Sequence, residues 1–349
     1  MLTKAGFMDG RGTGLAAKPE IPEKLYSIMK RQGYHFIGRH SAVKLCEYTS
    51  RSMEKDGVKC YKNKFYGISS WRCLQATPAL GCDLACRFCW RIIPEEVGVQ
   101  WNELNAVGWE DPKEIVEMMV EEQKRLVSGY KGKKNIEMEK WKEAREPIHA
   151  TLSLTGEPMF YPRMDELLAE FHRRGMSTFL VTNGTMVEAL KRLKVMPTQL
   201  YVSIQAPNKD VYNNVTRPKI ANAWERFLEF LEVFSSLKTR RVFRMTLVKG
   251  LNMLDPDGYA ELIKRGNPDY VEVKGFSYVG GARNEARNLK YADMPTGKEV
   301  QEFAAEIAAR SGYTITDYHE QSRVVLLCRD KDAAAMRIID FGAINEKKK

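Results

Sequence analysis

The strongest constraint on the fold is an alternation of strand-like and helix-like segments that runs from residue 74 to residue 274. Short β-branched or alternating apolar runs recur, and most are followed by a longer segment with apolar residues at helical spacing. Such βα repeats favour a parallel sheet with right-handed crossovers. With 349 residues, the chain has room for one large α/β barrel with a terminal extension or for two domains.

The pattern predicts strands at residues 74–79, 149–154, 177–182, 200–205, 241–248 and 270–274, and helices at 111–127, 164–174, 186–193, 221–237 and 257–265. A helix at 296–310 and strands at 313–316 and 324–327 follow. Residues 1–20 are rich in glycine and in small or charged residues, which indicates a mobile or loosely packed leader. Residues 21–71 read as irregular and basic, and the charge-dense stretch 131–146 is typical of a solvated helix or loop.

Six of the seven cysteines are crowded between positions 46 and 89. Disulfides are rare in a reducing cytosol, where clustered thiols more often hold metal. The six fall into two groups, the N-terminal trio of Cys46, Cys60 and Cys73, and the signature trio of Cys82, Cys86 and Cys89, spaced C-x3-C-x2-C.

Each trio lacks one ligand of a closed metal site. A structural zinc would add a fourth Cys or His, and His35 or His40 could serve the N-terminal trio, but the signature trio has no such neighbour. Three thiolates around a 4Fe-4S cluster instead leave one iron open to an exogenous ligand, which suits chemistry. Because the signature trio follows the first strand of the βα series, we expect it at the C-terminal edge of the sheet, where such folds bind cofactors.

The signature trio, with Phe88 before its last cysteine, resembles the motif of the radical S-adenosylmethionine enzymes. The resemblance implies an α/β fold, a partial (βα)6 TIM-like barrel at residues 74–295 with extensions at 1–73 and 296–349. It also implies a 4Fe-4S cluster whose open iron binds the amino and carboxylate groups of S-adenosyl-L-methionine. One electron then cleaves this cofactor to methionine and a 5'-deoxyadenosyl radical, which the protein positions and shields.

Three segments at successive predicted strand ends resemble further elements of that family. Residues 155–158 (TGEP) are similar to its GGEP segment, with Thr for the first Gly; 182–184 match its TNG; and 203–207 (SIQAP) resemble its SIDAP-like segment, with Gln for Asp. Alone, each is ordinary turn or helix-start chemistry, but three of them behind a cysteine trio favour a cofactor site. The implied contacts to the methionine amino group and the ribose come from Gly156, Glu157, Thr182, Asn183, Ser203 and Gln205.

The N-terminal trio indicates a resemblance to one particular family of radical S-adenosylmethionine enzymes. Its cysteines, together with WRCLQATPALGCDLACRFCWR, are similar to those of the archaeal tRNA 4-demethylwyosine synthases. That family joins N1-methylguanosine-37 of tRNA-Phe to two carbons of pyruvate. The resemblance implies a second 4Fe-4S cluster on the N-terminal trio and a pyruvate imine at Lys62, although Lys59, Lys62 and Lys64 also suit a phosphate-binding edge.

The charge balance agrees with a nucleic-acid partner. Lys and Arg outnumber Asp and Glu by 55 to 45, and basic residues within 65–90, 240–244 and 283–290 are candidate RNA contacts. The chain shows no long apolar stretch and no leader peptide, so we expect a cytoplasmic protein without a membrane partner. Eukaryotic relatives carry an N-terminal flavodoxin-like domain; no room for one precedes Cys46, so we expect an external electron donor such as a flavodoxin or ferredoxin.

The residues leave two alternatives open. One is another two-cluster radical enzyme, such as a glycyl-radical activase or a methylthiotransferase, which would not depend on tRNA or pyruvate. The other is a zinc-stabilised RNA-binding module without catalysis. Protein purified without oxygen is expected to be brown in the first case and colourless in the second.

Overall fold

The computed structural model describes residues 21–105 and 108–342, and the predicted leader at 1–20 lies outside these ranges. The described strands are β1 (His35–Ile37), β2 (Ser41–Val43), β3 (Cys73–Thr77), β4 (His149–Leu152), β5 (Ser177–Thr182), β6 (Gln199–Ile204), β7 (Arg240–Leu247), β8 (Tyr270–Gly275), β9 (Thr314–His319) and β10 (Val324–Cys328). The helices are α1 (Glu23–Arg31), α2 (Glu47–Ser52), α3 (Tyr61–Tyr66), α4 (Pro112–Ser128), α5 (Met138–Ala144), α6 (Met164–Arg173), α7 (Val187–Arg192), α8 (Lys209–Thr216), α9 (Ala223–Ser235), α10 (Pro256–Gly266), α11 (Gly297–Ser311) and α12 (Lys331–Ala335).

These strands form one mixed sheet in the order β1-β2-β3-β4-β5-β6-β7-β8-β10-β9. Strands β3 to β8 run parallel in chain order, as the βα repeats predict. The hairpin β1-β2 continues the sheet antiparallel to β3, and β10 with β9 continues it antiparallel to β8. The α/β fold class is therefore confirmed, and strands from both extensions lengthen the six-stranded parallel core.

The predicted strands and helices are confirmed with ends shifted by a few residues, but the reading of 21–71 as irregular is wrong. This segment holds α1, β1, β2, α2 and α3, which are three to nine residues long. Elements this short complete too few periods to produce a clear hydrophobic pattern. The stretch 131–146 is largely exposed, as predicted, and contains α5, which buries Trp141; its indole N–H donates to the carbonyl of Val127 at 3.0 Å.

The two faces of the sheet are covered by different elements. Neighbouring strand residues point to opposite faces, and one set, including Leu180 and Phe243, packs with helices such as α4, α6 and α9. The other set, including Phe179 and Tyr201, packs with the aromatic residues of α3. We call this second face the inner face. Helix α3, from the N-terminal extension, therefore fills the inner side of the partial barrel.

Along the strands, the inner face changes from apolar to polar. On β7, Val242 packs with α3, whereas Arg244 and Thr246 line a cavity of about 240 Å³ at the C-terminal ends of the strands. The apolar half holds α3, and the polar half is left for ligands. Among the described residues, no helix combines the length and the apolar character needed to cross a lipid bilayer.

Candidate functional site

The cavity at the C-terminal ends of the strands brings together nine of the predicted site residues. Its walls include the signature trio and the predicted cofactor contacts Gly156, Glu157, Thr182, Asn183, Ser203 and Gln205. They also include Arg244 and Lys274, which sequence reasoning did not assign to the cofactor site. The strand-end motifs and the signature trio are thus parts of one site, whereas the N-terminal trio does not line this cavity.

The loop that carries the signature trio leaves β3 and docks against the end of α8. The backbone N–H groups of Ala85 and Arg87 donate to the carbonyls of residues 216 and 215, at 2.8 and 2.9 Å. The three thiols are free, and burial raises the pKa of the Cys82 and Cys86 thiols. Since thiols bind iron as thiolates, cluster binding must release these protons.

A buried arginine fixes the far end of the same loop. Arg287 is 0% exposed and donates to the carbonyls of Cys89 and Arg91, and it makes hydrogen bonds of 2.7 and 2.8 Å to the Glu96 carboxylate. Arg91 in turn donates to the carbonyl of Leu154, just beyond β4, at 2.5 Å. Sequence reasoning missed this role of Arg287, because an arginine in an irregular segment carries no pattern that signals burial.

Glu157 connects three parts of the cavity wall. It is 1% exposed; its Oε1 accepts a hydrogen bond from the N–H of Met159 at 3.1 Å, and its own N–H donates to the carbonyl of Gly81 at 2.7 Å. Burial raises the pKa of the Glu157 carboxyl to about 8; the Asp83 carboxylate adds to this shift, and a hydrogen bond from Asn183 opposes it. A cationic ligand would restore the charged form, as expected where an ammonium group binds.

Asn183 holds the loop of the signature trio against the end of β5. Its Nδ2 donates to Oδ1 of Asp83 at 2.6 Å and lies 3.8 Å from Sγ of Cys82. Among the described residues, the buried Oδ2 of Asp83 and Oε1 of Gln205 have no hydrogen-bond partner. Unpartnered buried polar atoms are rare and require an explanation such as a ligand. Gln205 lines the cavity, so its free oxygen fits a ligand with hydroxyl groups, such as a ribose.

Gly156 lets the segment after β4 pass close to the cysteine loop. Its φ of +68° lies in the left-handed region, and a Cβ there would collide with the carbonyl of Ala79 and lie 2.8 Å from that of Gly81. Only glycine combines this positive φ with the absence of a Cβ atom. The predicted cofactor segment and the cysteine loop are therefore in direct backbone contact.

The N-terminal trio is assembled from three elements. Cys46 and Cys60 precede α2 and α3, and Cys73 begins β3. Burial raises the pKa of the Cys60 thiol to about 12; Lys62 opposes this shift, whereas the thiols of Cys46 and Cys73 add to it. The three sulfur atoms are thus near enough to interact electrostatically, and the Lys62 amine interacts with those of Cys60 and Cys73.

The two histidines that a zinc site would need are engaged elsewhere. His35 lies 2.7 Å from a carboxylate oxygen of Glu122, and Nε2 of His40 accepts the N–H of Glu110 at 2.9 Å. Within 21–105 and 108–342, no group of three or more Cys, His, Asp or Glu is arranged around a single ion. The thiols of both trios are free, and free thiols are the ligands that iron-sulfur clusters use.

Lys62 lies inside the barrel. It is 6% exposed, and its Nζ lies 5.2 Å from the ring centre of Phe179 and 4.9 Å from that of Tyr201, on the inner face. Lys64 points to the surface, where it is 51% exposed and forms an ion pair with Asp317 at 2.8 Å. The phosphate-edge interpretation therefore does not fit Lys62.

Two of the three basic segments considered for RNA meet beside the cysteine loop. Arg87 donates to the carbonyls of Arg287 and Asn288, each at 3.0 Å, and so joins segments 65–90 and 283–290. In the third segment, Arg241 pairs with Asp269 at 3.4 Å, whereas Arg244 lines the cavity.

Comparison with known families agrees with this geometry. Residues 77–263 match the family described as the Radical SAM superfamily, and residues 265–329 match the one described as Wyosine base formation. A protein of Pyrococcus abyssi named S-adenosyl-L-methionine-dependent tRNA 4-demethylwyosine synthase is 46% identical over 319 residues, which cover 90% of this chain and 91% of the relative.

Two solved structures share the whole fold. One, described as TYW1 with a lysine-pyruvate adduct bound, has a TM-score of 0.79 and 36% identity, and the match covers 89% of this chain and 97% of that chain. A crystal structure of archaeal TYW1 has a TM-score of 0.72 and 33% identity, and the match covers 92% of this chain and 99% of that chain.

Proposed function

The chain belongs to the tRNA 4-demethylwyosine synthase family of radical S-adenosylmethionine enzymes, and on that basis we propose that it builds 4-demethylwyosine from N1-methylguanosine-37 of tRNA-Phe and two carbons of pyruvate. The observation that carries the proposal is that the buried Lys62 amine, the N-terminal trio and the cofactor cavity all belong to one inner face of the barrel.

We assign a 4Fe-4S cluster to each cysteine trio. A cluster held by Cys82, Cys86 and Cys89 would supply the electron that cleaves S-adenosyl-L-methionine to methionine and a 5'-deoxyadenosyl radical. Glu157 binds the amino group of the cofactor, because a neighbouring cation stabilises the charged form of its buried carboxyl group. Ser203 and Gln205 face the ribose, and the unpartnered Oε1 of Gln205 accepts a hydroxyl hydrogen bond there.

Lys62 acts as a nucleophile toward pyruvate. Its Nζ attacks the ketone carbon, and loss of water leaves a C=N bond that holds the substrate through carbon-carbon bond cleavage. The aromatic walls formed by Phe179 and Tyr201 keep bulk water from this amine. The lysine-pyruvate adduct named for the related solved structure supports this assignment.

The remaining partners follow from the same proposal. The anticodon stem-loop binds a basic surface through its phosphates, and the unstacked guanosine enters the cavity from the C-terminal edge of the sheet. Segments 65–90 and 283–290, which meet at that edge, are the proposed RNA contacts. Electrons come from an external donor such as a flavodoxin or ferredoxin in the cytoplasm.

The test is a defined reaction without oxygen. Reconstituted protein, S-adenosyl-L-methionine, a reductant, carbon-labelled pyruvate and tRNA-Phe that carries N1-methylguanosine-37 should yield labelled 4-demethylwyosine on digestion and mass spectrometry. The matched control is the same tRNA without the N1-methyl group, which should remain unlabelled. Turnover of S-adenosyl-L-methionine that is independent of both tRNA and pyruvate would instead point to another two-cluster radical enzyme.

A further inference from the structure

Two cations of the inner face share a single carboxylate. Arg244 on β7 and Lys274 on β8 both line the cavity. Oε2 of Glu272 lies 3.9 Å from Nε of Arg244, and the Glu272 carboxylate already accepts hydrogen bonds from the hydroxyls of Tyr61 and Tyr66, at 2.8 and 2.9 Å. The Glu272 carboxylate therefore serves Arg244 and two hydroxyl groups, and it also interacts electrostatically with Lys274.

The hydrogen-bond donors of both cations are largely unused. Across residues 21–105 and 108–342, the Arg244 guanidinium donates to no protein oxygen within hydrogen-bond distance, although it carries five N–H groups. Lys274 donates to the carbonyl of Ser322 at 3.1 Å, which uses one of its three N–H groups. Burial lowers the pKa of Lys274 to about 7, and Arg244 and Arg323 add to this shift. An anionic ligand would stabilise the charged form of such a lysine.

The two cations lie between the cofactor cavity and the N-terminal trio. Arg244 is paired with Ser203 on β6, and Lys274 is paired with Thr246 on β7, so the cations occupy neighbouring strands one step apart on the same face. Both interact electrostatically with Cys60, as Lys62 does. An anion held by Arg244 and Lys274 would therefore be close to the amine of Lys62.

We propose that Arg244 and Lys274 form a subsite for the carboxylate of the 2-oxo acid and orient its ketone carbon toward Lys62. The inference rests on the proposed function, which supplies the substrate, and adds the protein groups that recognise its charge. A guanidinium fork matches two carboxylate oxygens, and the ammonium adds a second positive charge. A neutral nucleobase would leave the cations unbalanced, whereas a carboxylate neutralises one of them.

The test varies the charge of the ligand and of the residue together. Reconstituted full-length protein is treated with borohydride and either pyruvate or pyruvamide, and the fraction of protein labelled on Lys62 is measured. Pyruvamide keeps the ketone of pyruvate but lacks its negative charge. The concentration that labels half of the wild-type protein should be about 10- to 100-fold lower for pyruvate than for pyruvamide. This ratio corresponds to the free energy of one charge-assisted hydrogen bond. Arg244→Gln should lose most of this preference and still react with pyruvamide.

Further variants distinguish charge recognition from misfolding. Arg244→Lys should keep part of the preference, and Lys274→Met should weaken labelling by pyruvate but not by pyruvamide. Lys264→Met and Arg265→Gln, which change an exposed lysine and arginine on α10, should behave as wild type. Iron content is measured for each variant to establish that the clusters are loaded.

Two results would overturn the subsite. Arg244→Gln could retain the full preference for pyruvate, or it could lose affinity for S-adenosyl-L-methionine while pyruvate labelling is unchanged, in which case the cations bind the carboxylate of the cofactor. Failure of the proposed function looks different, because wild type itself would then neither trap pyruvate nor modify tRNA-Phe.

Discussion

The backbone N–H of Asn183 donates to Oε2 of Glu157 at 2.7 Å, and this bond joins the end of β5 to the segment after β4 inside the cavity. The other carboxylate oxygen caps the turn at Met159. Glu157 is therefore held in one orientation before any ligand arrives. A cation that binds there meets an ordered carboxyl group, which reduces the entropy lost on binding.

Glu157→Gln should remove a pH dependence of folding. The pKa of Glu157 is about 8 in the folded chain and 4.5 ordinarily, so folding favours the protonated carboxyl. That contribution is complete below pH 4.5 and is lost as the pH rises through 8. Wild type should thus lose stability toward pH 8 relative to the variant. Thermal unfolding at matched iron content tests this, and parallel Tm profiles from pH 5 to 9 would contradict it.

The same residue should couple S-adenosyl-L-methionine binding to proton release. The ammonium group favours the carboxylate of Glu157, so wild type should release a proton on binding near pH 7, and Glu157→Gln should not. Affinity for the cofactor should fall by roughly 1.5 to 3 kcal/mol in Glu157→Ala. Calorimetry in two buffers of different ionisation enthalpy measures both effects. Glu188→Gln, on the exposed side of α7, is the matched control.

Replacement of either cysteine trio by alanine should remove about half of the iron, since three thiolates anchor each four-iron cluster. Loss of the signature trio should also abolish cleavage of S-adenosyl-L-methionine. Cys328→Ala changes a buried cysteine outside both trios and should keep all the iron. Iron analysis and the visible absorption spectrum provide the measurement. Full iron in the variant that lacks the N-terminal trio would exclude a second cluster.

Lys62→Met should abolish labelling by borohydride and pyruvate while the iron content is retained. The buried amine is the nucleophile in our proposal, and methionine preserves most of its apolar contacts with the two aromatic rings. Lys64→Met, two residues away and exposed, should label normally. If Lys62→Met still forms 4-demethylwyosine at close to the wild-type rate, the imine is not required.

Arg287→Met should destabilise the fold by about 3 to 5 kcal/mol, because it leaves the Glu96 carboxylate without its buried partner. The carbonyls of Cys89 and Arg91 also lose their donor, so the loop of the signature trio should hold its cluster less well. Denaturant titration and the rate of iron loss to a chelator measure the two effects. Arg283→Met, at an exposed position of the same segment, should change neither.

The parts of the site that could be predicted from the sequence are those encoded within a few consecutive residues. The sequence predicts the strand 177–182 with its observed ends, and Asn183, which follows that strand, lines the cavity as the motif implies. Both depend on neighbouring residues, and strand ends that carry turn motifs are visible without knowledge of the fold.

The missed parts depend on contacts between distant segments. Helix α3 completes fewer than two turns and sits in a basic stretch, so nothing local shows that Tyr61 and Phe65 fill a barrel. Arg244 lies on a strand buried on both faces, where alternation cannot tell the inner from the outer face. The resemblance pointed to Lys62, but its burial against Phe179 and Tyr201 became visible only in three dimensions.

Helix α3 makes the N-terminal segment inseparable from the barrel. The ring of Tyr66 packs edge-on against Tyr270, and the other aromatic residues of the helix share one apolar cluster with β5, β6 and β10. The barrel of another enzyme could pack against this segment only with matching substitutions on its inner face. The segment that carries Cys46 and Cys60 therefore depends on this barrel, and a chimera that exchanges the N-terminal segment alone should not fold.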